Sequence, residues 1–133
     1  MPFIRVTIAG TEIDASAVRR LQEGTAEFMN AIMRKRREVT AVLVEQVPLS
    51  GWTIGAEPVL VAAHVEANVS EGTNSHTEMS RFIQQMDSLL KEVLGPDMPL
   101  ATYVIVREVR ESAWGYGGVT QDYRRTTAKA ATA

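Results

Sequence analysis

Pro2 is the residue of this sequence whose chemistry depends most on its position. If Met1 is removed, Pro2 becomes the amino terminus and carries a free secondary amine. An α-amino group has a pKa of roughly 8, close to the pH at which a general base works best, and an apolar pocket would lower this pKa further. The position therefore favours proton transfer with Pro2 as the general base.

Four further side chains could hold the molecule on which such a base acts. A developing enolate or a carboxylate needs a hydrogen-bond donor or a cation. Tyr103 could donate a hydrogen bond, and Arg107 lies on the same predicted strand with the same parity, so both would face one side. Trp52 and Trp114 each follow an apolar strand and could line an apolar pocket. The alternatives are a packed strand tyrosine, tryptophans of the core or an interface, and a surface ion pair of the arginine with a neighbouring glutamate.

The elements of the first half of the chain must hold Pro2 in position. Alternation of apolar and polar residues predicts a strand at 2–8, and a β-branched apolar run predicts a buried strand at 39–44. Apolar residues at spacings of three and four predict a helix between them. Asp14, or as a second choice Ser16, caps its start. The basic run 34–37 closes the helix, where cations interact favourably with the negative end of its dipole.

The second half repeats this order. Strands are predicted at 58–65 and 103–106. Ser75 or Thr77 caps the helix between them, and Gly95 ends it.

An internal repeat runs through the sequence at an offset of 62 residues. The leading prolines, Pro2 and Pro58, are offset by only 56, which predicts six extra residues in the second half, in the loop 70–75. The Pro58 nitrogen is locked in a peptide bond, so only Pro2 can offer a basic amine. The matching positions are 42–47 with 104–109, and Trp52 with Trp114.

The repeated unit predicts an α+β fold with two layers (α/β): a tandem β-α-β repeat with a four-stranded sheet and two helices on one face. A helix crossover implies a parallel strand pair within each unit. We expect one domain, 1–125, made of units 2–57 and 58–125, with a flexible tail at 126–133. The other sheet face is too apolar to remain solvated, which predicts self-association.

Composition excludes several classes of function. The net charge of −2 and pI of about 5.7 predict no nucleic-acid or membrane partner, and the absence of cysteine excludes thiolate chemistry. His64 and His76 are twelve residues apart with no ligand-spaced partner, so no zinc site is predicted. Without a signal-peptide pattern or an apolar run of about 20 residues, the default expectation is a cytoplasmic protein.

The order of these motifs resembles the tautomerase superfamily, most closely the fused, double-length relatives of 4-oxalocrotonate tautomerase (4-OT). The resemblance covers about residues 2–125 and rests on the Met-Pro start, the duplicated unit and the stretch 100–125. It implies a β-α-β building block, a homotrimer, no cofactor and Pro2 as the catalytic residue. It also implies that Trp114, and Trp52 in the first half, are pocket aromatics.

The family's substrate-binding arginines fall on other residue types in this sequence. The second-strand arginine falls at Ala41 and Tyr103, and the loop arginine falls near Thr11 or Glu12 and near Thr73. This departure affects the family's dicarboxylate substrates and leaves the proline chemistry intact. A tyrosine in the pocket also occurs in dehalogenase-like members, which makes Tyr103 a candidate.

The first hypothesis is therefore a cofactor-independent tautomerase or isomerase (keto-enol), in which Pro2 moves a proton on an enol or 2-oxo acid. The alternatives are a dehalogenase- or decarboxylase-like hydrolytic member that uses protonated Pro2 as an acid, and a degenerate non-catalytic member that binds a ligand. The hydrolytic version needs a carboxylate to activate water. The available carboxylates are Glu12, Glu45, Glu108 and Glu111.

Overall fold

The computed structural model describes residues 2–10 and 13–132, and the side chains of the last helix as far as residue 128. Its first half contains two long strands, a helix and a short hairpin. In chain order these are β1 (Phe3–Ala9), α1 (Ala15–Ala31), β2 (Ala41–Gln46), β3 (Thr53–Ile54) and β4 (Glu57–Pro58).

The second half repeats these elements and adds a third helix. The elements are β5 (Ala62–Ser70), α2 (His76–Leu94), β6 (Tyr103–Val109), β7 (Gly115–Tyr116), β8 (Val119–Thr120) and α3 (Gln121–Thr132). Single turns of 3-10 helix precede β2, β3 and β7.

The four long strands form one mixed sheet in the order β2-β1-β5-β6. β1 runs parallel to β2 and β5 parallel to β6, because each pair is joined by a helical crossover, while β1 and β5 are antiparallel. α1 and α2 cover one face, over a core of fully buried residues such as Ile4, Val6, Val65, Phe82 and Leu90. This architecture confirms the predicted fold class.

The opposite side of the sheet, here called the uncovered face, carries the alternate side chains of the four strands. Its charges alternate in sign from strand to strand: Glu45 on β2, Arg5 on β1, Glu66 on β5 and Arg107 on β6. The Arg5 Nε–Glu45 Oε1 distance is 3.5 Å and the Arg107 Nη1–Glu66 Oε1 distance is 3.8 Å. Partly exposed apolar side chains lie among these ion pairs, so the face is more polar than the sequence suggests. The largest are Phe3, Leu43, Tyr103 and Ile105.

The first strand of the second unit begins at Ala62, so the prediction of a strand at 58–65 is wrong at its start. Pro58 instead belongs to β4 and pairs with Thr53 in the first hairpin. Gly55 and Ala56 both have positive φ, as a two-residue hairpin turn requires, and this turn draws the following residues back onto β3. Pro58 is therefore not the counterpart of Pro2.

The two repeated units are more nearly equal in length than the sequence suggests. Phe3 pairs with Ala41 in the first unit and His64 with Tyr103 in the second, so Ala63 is the counterpart of Pro2, at an offset of 61. The second unit thus has one extra residue instead of six. The helix N-caps Asp14 and Ser75 keep the offset of 61, which places that residue after the start of α2.

The helix caps are as predicted, but the end of α1 is not. The Asp14 carboxylate accepts a hydrogen bond from the Ala17 N–H, and Ser75 forms a capping box with Glu78. α1 ends at Ala31, before the basic run 34–37, so these cations do not close the helix.

The end of the chain is helical, where the sequence predicts a flexible tail. α3 starts at a local cap, because the Tyr123 N–H donates to the Asp122 carboxylate and to the Thr120 hydroxyl. An ion pair of 2.7 Å between Arg125 and Glu111 then attaches the helix to the turn before β7.

Glu78 joins α2 to the chain that follows α1, and this contact predicts a sensitivity to acid. A hydrogen bond from Arg34 (2.6 Å), helped by the Ser75 N–H, lowers the pKa of Glu78 from 4.5 to about 2. The carboxylate therefore stabilises the folded protein above pH 4.5, and this contribution is lost as the pH falls towards about 2. Glu78→Gln should lower Tm at neutral pH, and its difference from the wild type should shrink over that acidic range, measured by circular dichroism.

The matched control for this experiment is Glu71→Gln, which changes an exposed carboxylate on the loop before α2. A Tm difference for Glu78→Gln that stays constant down to pH 2 would contradict the assignment.

Candidate functional site

Pro2 lies immediately before β1, with its side chain buried, and its carbonyl accepts a hydrogen bond from the Ala41 N–H at 3.2 Å. β1 and β5 are antiparallel, with Phe3 opposite Asn68. Continuing this register by one residue places Pro2 opposite Val69, at the carboxyl end of β5.

A cavity of about 260 Å³, here called the cationic cavity, opens at this end of the sheet. Ser70, the residue after Val69, lines it, so the cavity adjoins the position opposite Pro2. Four of its lining side chains are cations, which is unusual for a protein with a net charge of −2. The lining residues include Lys35, Arg36, Ser70, Thr73, Glu111, Tyr116, Arg124 and Arg125.

Lys35 is the most buried of these cations, with only 8% of its surface exposed. Its Nζ donates a hydrogen bond to the Thr73 hydroxyl at 2.8 Å. Burial lowers the pKa of Lys35, the charge of Arg34 lowers it further, and Glu78 acts in the opposite direction. An anion that enters the cavity would therefore stabilise the charged form of Lys35.

Arg124 reaches the cavity from α3 and is held by Tyr116. Its guanidinium lies 3.9 Å from the centre of the Tyr116 ring, and Nη2 donates to the Tyr116 carbonyl at 2.8 Å. The Nε atom is buried and has no hydrogen-bond partner among the described residues. Arg125 differs, because it is already paired with Glu111 at 2.7 Å.

Lys35 and Arg124 are thus the cations of this cavity that are still able to take an anionic partner. Within the described part of the chain, neither lies within 4.0 Å of a carboxylate oxygen. The arrangement suits a ligand that carries a carboxylate or develops an enolate.

Trp114 lies at the same end of the sheet, where its indole Nε1 donates to the Ser70 hydroxyl at 3.2 Å. The β7–β8 hairpin holds it in place. A Cβ atom at Gly115 would overlap the Val119 carbonyl, so the close approach of the two strands requires glycine between the aromatic residues Trp114 and Tyr116.

The structure divides the predicted site residues into two groups. Pro2, Trp114 and Arg107 lie towards the carboxyl end of β5, and Arg107 is exposed on the uncovered face beside Glu66. Tyr103 lies at the start of β6 and, with Trp52, lines a second cavity at the opposite end. Tyr103 pairs with His64, and Val69 is five positions further along β5 than His64, a distance of about 16 Å.

The carboxylates considered for a hydrolytic reaction are mostly held away from the cationic cavity. Glu45 accepts a hydrogen bond from the Thr7 hydroxyl at 2.9 Å, and Glu108 accepts one from the Gly72 N–H at 3.2 Å. Glu111 does line the cavity, but it is bound to Arg125. The remaining candidate, Glu12, lies outside the described residues, as do Thr11 and Met1.

Sequence reasoning missed Lys35 and Arg124. The signal for Lys35 was the basic run that we assigned to the end of a helix, and Arg124 stands two residues before the predicted tail 126–133. No group of three or more histidine, aspartate or glutamate side chains that could hold a metal ion occurs in residues 2–10 and 13–132. In the same residues, no helix combines the length and hydrophobicity needed to cross a membrane.

Solved structures similar to this one support the predicted resemblance. The sequence itself matches no family model and no curated protein. A fused 4-OT, F6, solved as an asymmetric trimer, superposes with a TM-score of 0.80 at 18% identity, over 92% of this chain and 98% of its own. Pt0534 inactivated by 2-oxo-3-pentynoate gives 0.82 at 10% identity, over 92% and 98% of the two chains.

A third similar structure is a macrophage migration inhibitory factor-like protein from Entamoeba histolytica. It gives a TM-score of 0.74 at 15% identity, over 90% of this chain and 97% of its own. All three superpose over nearly the whole of both chains. The protein therefore has the fold of the fused 4-OT structures, in agreement with the resemblance of its sequence.

Proposed function

We propose that this protein is a cofactor-independent tautomerase or isomerase that moves a proton on an enol or a 2-oxo acid. The Pro2 nitrogen, freed by removal of Met1, acts as the general base. The observation that supports the proposal is the buried Pro2 at the end of the sheet where the cationic cavity opens; Pro2 is not among the residues that line this cavity, but Lys35 and Arg124 are, and neither has a carboxylate partner among the described residues.

The proposed reaction is a proton transfer within one substrate molecule. The neutral Pro2 amine takes the proton from the enol hydroxyl and becomes a secondary ammonium, while the substrate becomes an enolate. The ammonium then returns the proton to carbon, which restores the amine and leaves the keto product. Catalysis of this kind contributes about 10²- to 10⁴-fold.

The cationic cavity supplies the positive charge that binds the substrate, which a neutral base cannot provide. Lys35 and Arg124 bind the substrate carboxylate and stabilise the enolate, the role that the resemblance gives to arginines at other positions. Tyr116 supplies an aromatic side of the cavity, and Trp114 lies next to the cavity through its hydrogen bond to Ser70. Within one protomer, Tyr103 and Trp52 are too far from Pro2 to share its substrate, since about 16 Å of strand separates the two ends.

The proposal includes assembly as a homotrimer. The similar F6 fused 4-OT is a trimer, and the uncovered face of this chain presents Phe3, Leu43 and Ile105 with 37–40% of their surface exposed. These apolar side chains would lose contact with water if the protomers pack through this face.

The experiment that tests the proposal is labelling with 2-oxo-3-pentynoate, the compound that inactivates the similar Pt0534. An alkynyl ketone is attacked by unprotonated amines, so we expect one equivalent per chain, located on Pro2 by peptide mass mapping. Phenylpyruvate should protect Pro2 by occupying the cavity. Pro58→Ala, which changes an exposed proline without an amine, should label as the wild type does.

Two outcomes would contradict the proposal. Labelling confined to Lys35, the other amine of the site, would show that the reactive group is not Pro2. An intact mass that retains Met1 would show that the Pro2 nitrogen is an amide without a basic lone pair.

A further inference from the structure

The cationic cavity contains one carboxylate among its four cations. Glu111 is the only aspartate or glutamate among the described residues that line it, and Arg125 Nε donates to its Oε2 atom at 2.7 Å. Both side chains keep accessible surface, 53% for Arg125 and 20% for Glu111, so a ligand in the cavity can reach either group. The cavity therefore presents a negative charge as well as positive ones to an incoming anion.

The backbone holds this ion pair in place. Glu111 begins the 3-10 turn before β7, and Trp114 directly follows that turn. The first residue of α3, Gln121, is buried and donates its N–H to the Trp114 carbonyl at 2.9 Å, and Arg125 lies one helical turn further on. Because this hydrogen bond joins the turn to α3, the two elements stay together even where the ion pair is weakened.

Two of the four cations already have a carboxylate partner. Arg125 is paired with Glu111 inside the cavity, and Arg36 Nη2 lies 3.9 Å from Oε1 of Glu38, which does not line the cavity. The other two cations are those to which the proposed function assigns the substrate carboxylate and the enolate. The cavity thus has enough free positive charge for one carboxylate, and none of its described cations is left over for a second one.

We propose that Glu111 is a specificity-determining residue, which restricts the cavity to enols and 2-oxo acids that carry a single carboxylate on an otherwise uncharged molecule. This inference rests on the proposed function, because it names the substrate class of the same site. A second carboxylate on the ligand would be repelled by Glu111, and Arg125, the cation paired with that charge, is already occupied. A protein can reject a wrong ligand by such a repulsive contact as well as by the loss of an attractive one.

The probes are 4-methylphenylacetate and 4-carboxyphenylacetate, two ligands of similar size that differ by one carboxylate. Calorimetric titration of the full-length protein at low salt measures the ratio of their dissociation constants, and the wild type should bind the monoanion at least about tenfold more tightly. In Glu111→Gln the side-chain oxygen can still accept the hydrogen bond from Arg125, but the negative charge is gone. We expect this change to strengthen binding of the dianion about tenfold more than binding of the monoanion.

Two further variants identify the cause of the change. Glu71→Gln removes the same charge from an exposed loop residue that does not line the cavity, so it should leave the ratio of the two dissociation constants as in the wild type. Adding Arg125→Gln to Glu111→Gln removes the cation that is left unpaired, so the dianion should lose most of its gain. A gain that persists in this double variant would assign the second carboxylate to another cation and contradict the role of the pair.

The selectivity is an equilibrium property and involves no proton transfer, so this experiment is separate from the test of Pro2. A shifted ratio in Glu111→Gln would stand even if 2-oxo-3-pentynoate failed to label Pro2. An unchanged ratio in a protein that is labelled at Pro2 would contradict only the role of Glu111. Wild-type protein that binds the dianion as tightly as the monoanion, or a ratio that shifts equally in Glu71→Gln, would also overturn the inference.

Discussion

Replacing Pro2 by alanine is expected to lower kcat/KM for the ketonisation of phenylenolpyruvate by about 10²-fold. Alanine also leaves an amine at the start of the chain, but this amine is primary and free to rotate. The pyrrolidine ring of proline fixes the direction of the lone pair, so the substitution removes orientation as well as the secondary amine. The measurement is the decay of enol absorbance under steady-state conditions.

The control for this variant is Pro58→Ala, the same change at an exposed position of the first hairpin. It should keep full activity. Circular dichroism should give similar spectra for all three proteins, because Pro2 precedes β1 and the Ala41 N–H bond to its carbonyl does not depend on the side chain. Wild-type kinetics in Pro2→Ala would rule out this residue as the base.

Much of the fold could be predicted because its signals are local. Asp14 and Ser75, each one of two caps predicted for its helix, start the helices, since a short acceptor side chain satisfies free N–H groups at a helix start. The start of β5 could not be predicted in the same way. Pro58 is followed by apolar residues that read as a strand, and only the turn at Gly55 and Ala56 determines that this segment pairs backwards with β3.

The site was harder to predict than the fold, because its cations come from two segments without an apolar periodicity: the loop after α1 and the polar helix α3. Arg34 has a φ of 58°, in the left-handed region, and it sends its side chain out to Glu78. The next residue, Lys35, then turns inwards, where the Asn30 side chain donates to its carbonyl and Thr73 accepts from its ammonium. A run of four basic residues gives no indication of which one will be buried.

The duplicated unit explains why the two ends of the sheet differ. Each end has a tryptophan from a hairpin and a short residue at the start of a strand, but only the first unit has a proline at an amino terminus. Lys35, from the loop after α1, and Arg124, from α3, also line the cavity at that end only. One copy of the unit can therefore supply the chemistry, while the other keeps a cavity with aromatic walls.

Replacing Lys35 by methionine is expected to raise KM for phenylenolpyruvate by about 10- to 100-fold, with a smaller change in kcat. Methionine keeps the length of the side chain but removes the charge that binds the carboxylate. Arg124→Met should act in the same direction, and added salt should weaken substrate binding less in either variant than in the wild type. Steady-state kinetics at two ionic strengths measure both effects.

The Tm of the Lys35→Met variant distinguishes a binding role for Lys35 from a structural one. The lowered pKa of Lys35 means that the folded protein disfavours its charged form, so Lys35→Met should not lower Tm beyond the loss of one hydrogen bond to Thr73, about 1 kcal/mol. Arg37→Met is the matched control, because Arg37 belongs to the same basic run but pairs with Glu27 at 2.8 Å, outside the cavity. A KM that rises equally in Arg37→Met, or a Lys35→Met protein that loses activity only by unfolding, would remove Lys35 from the site.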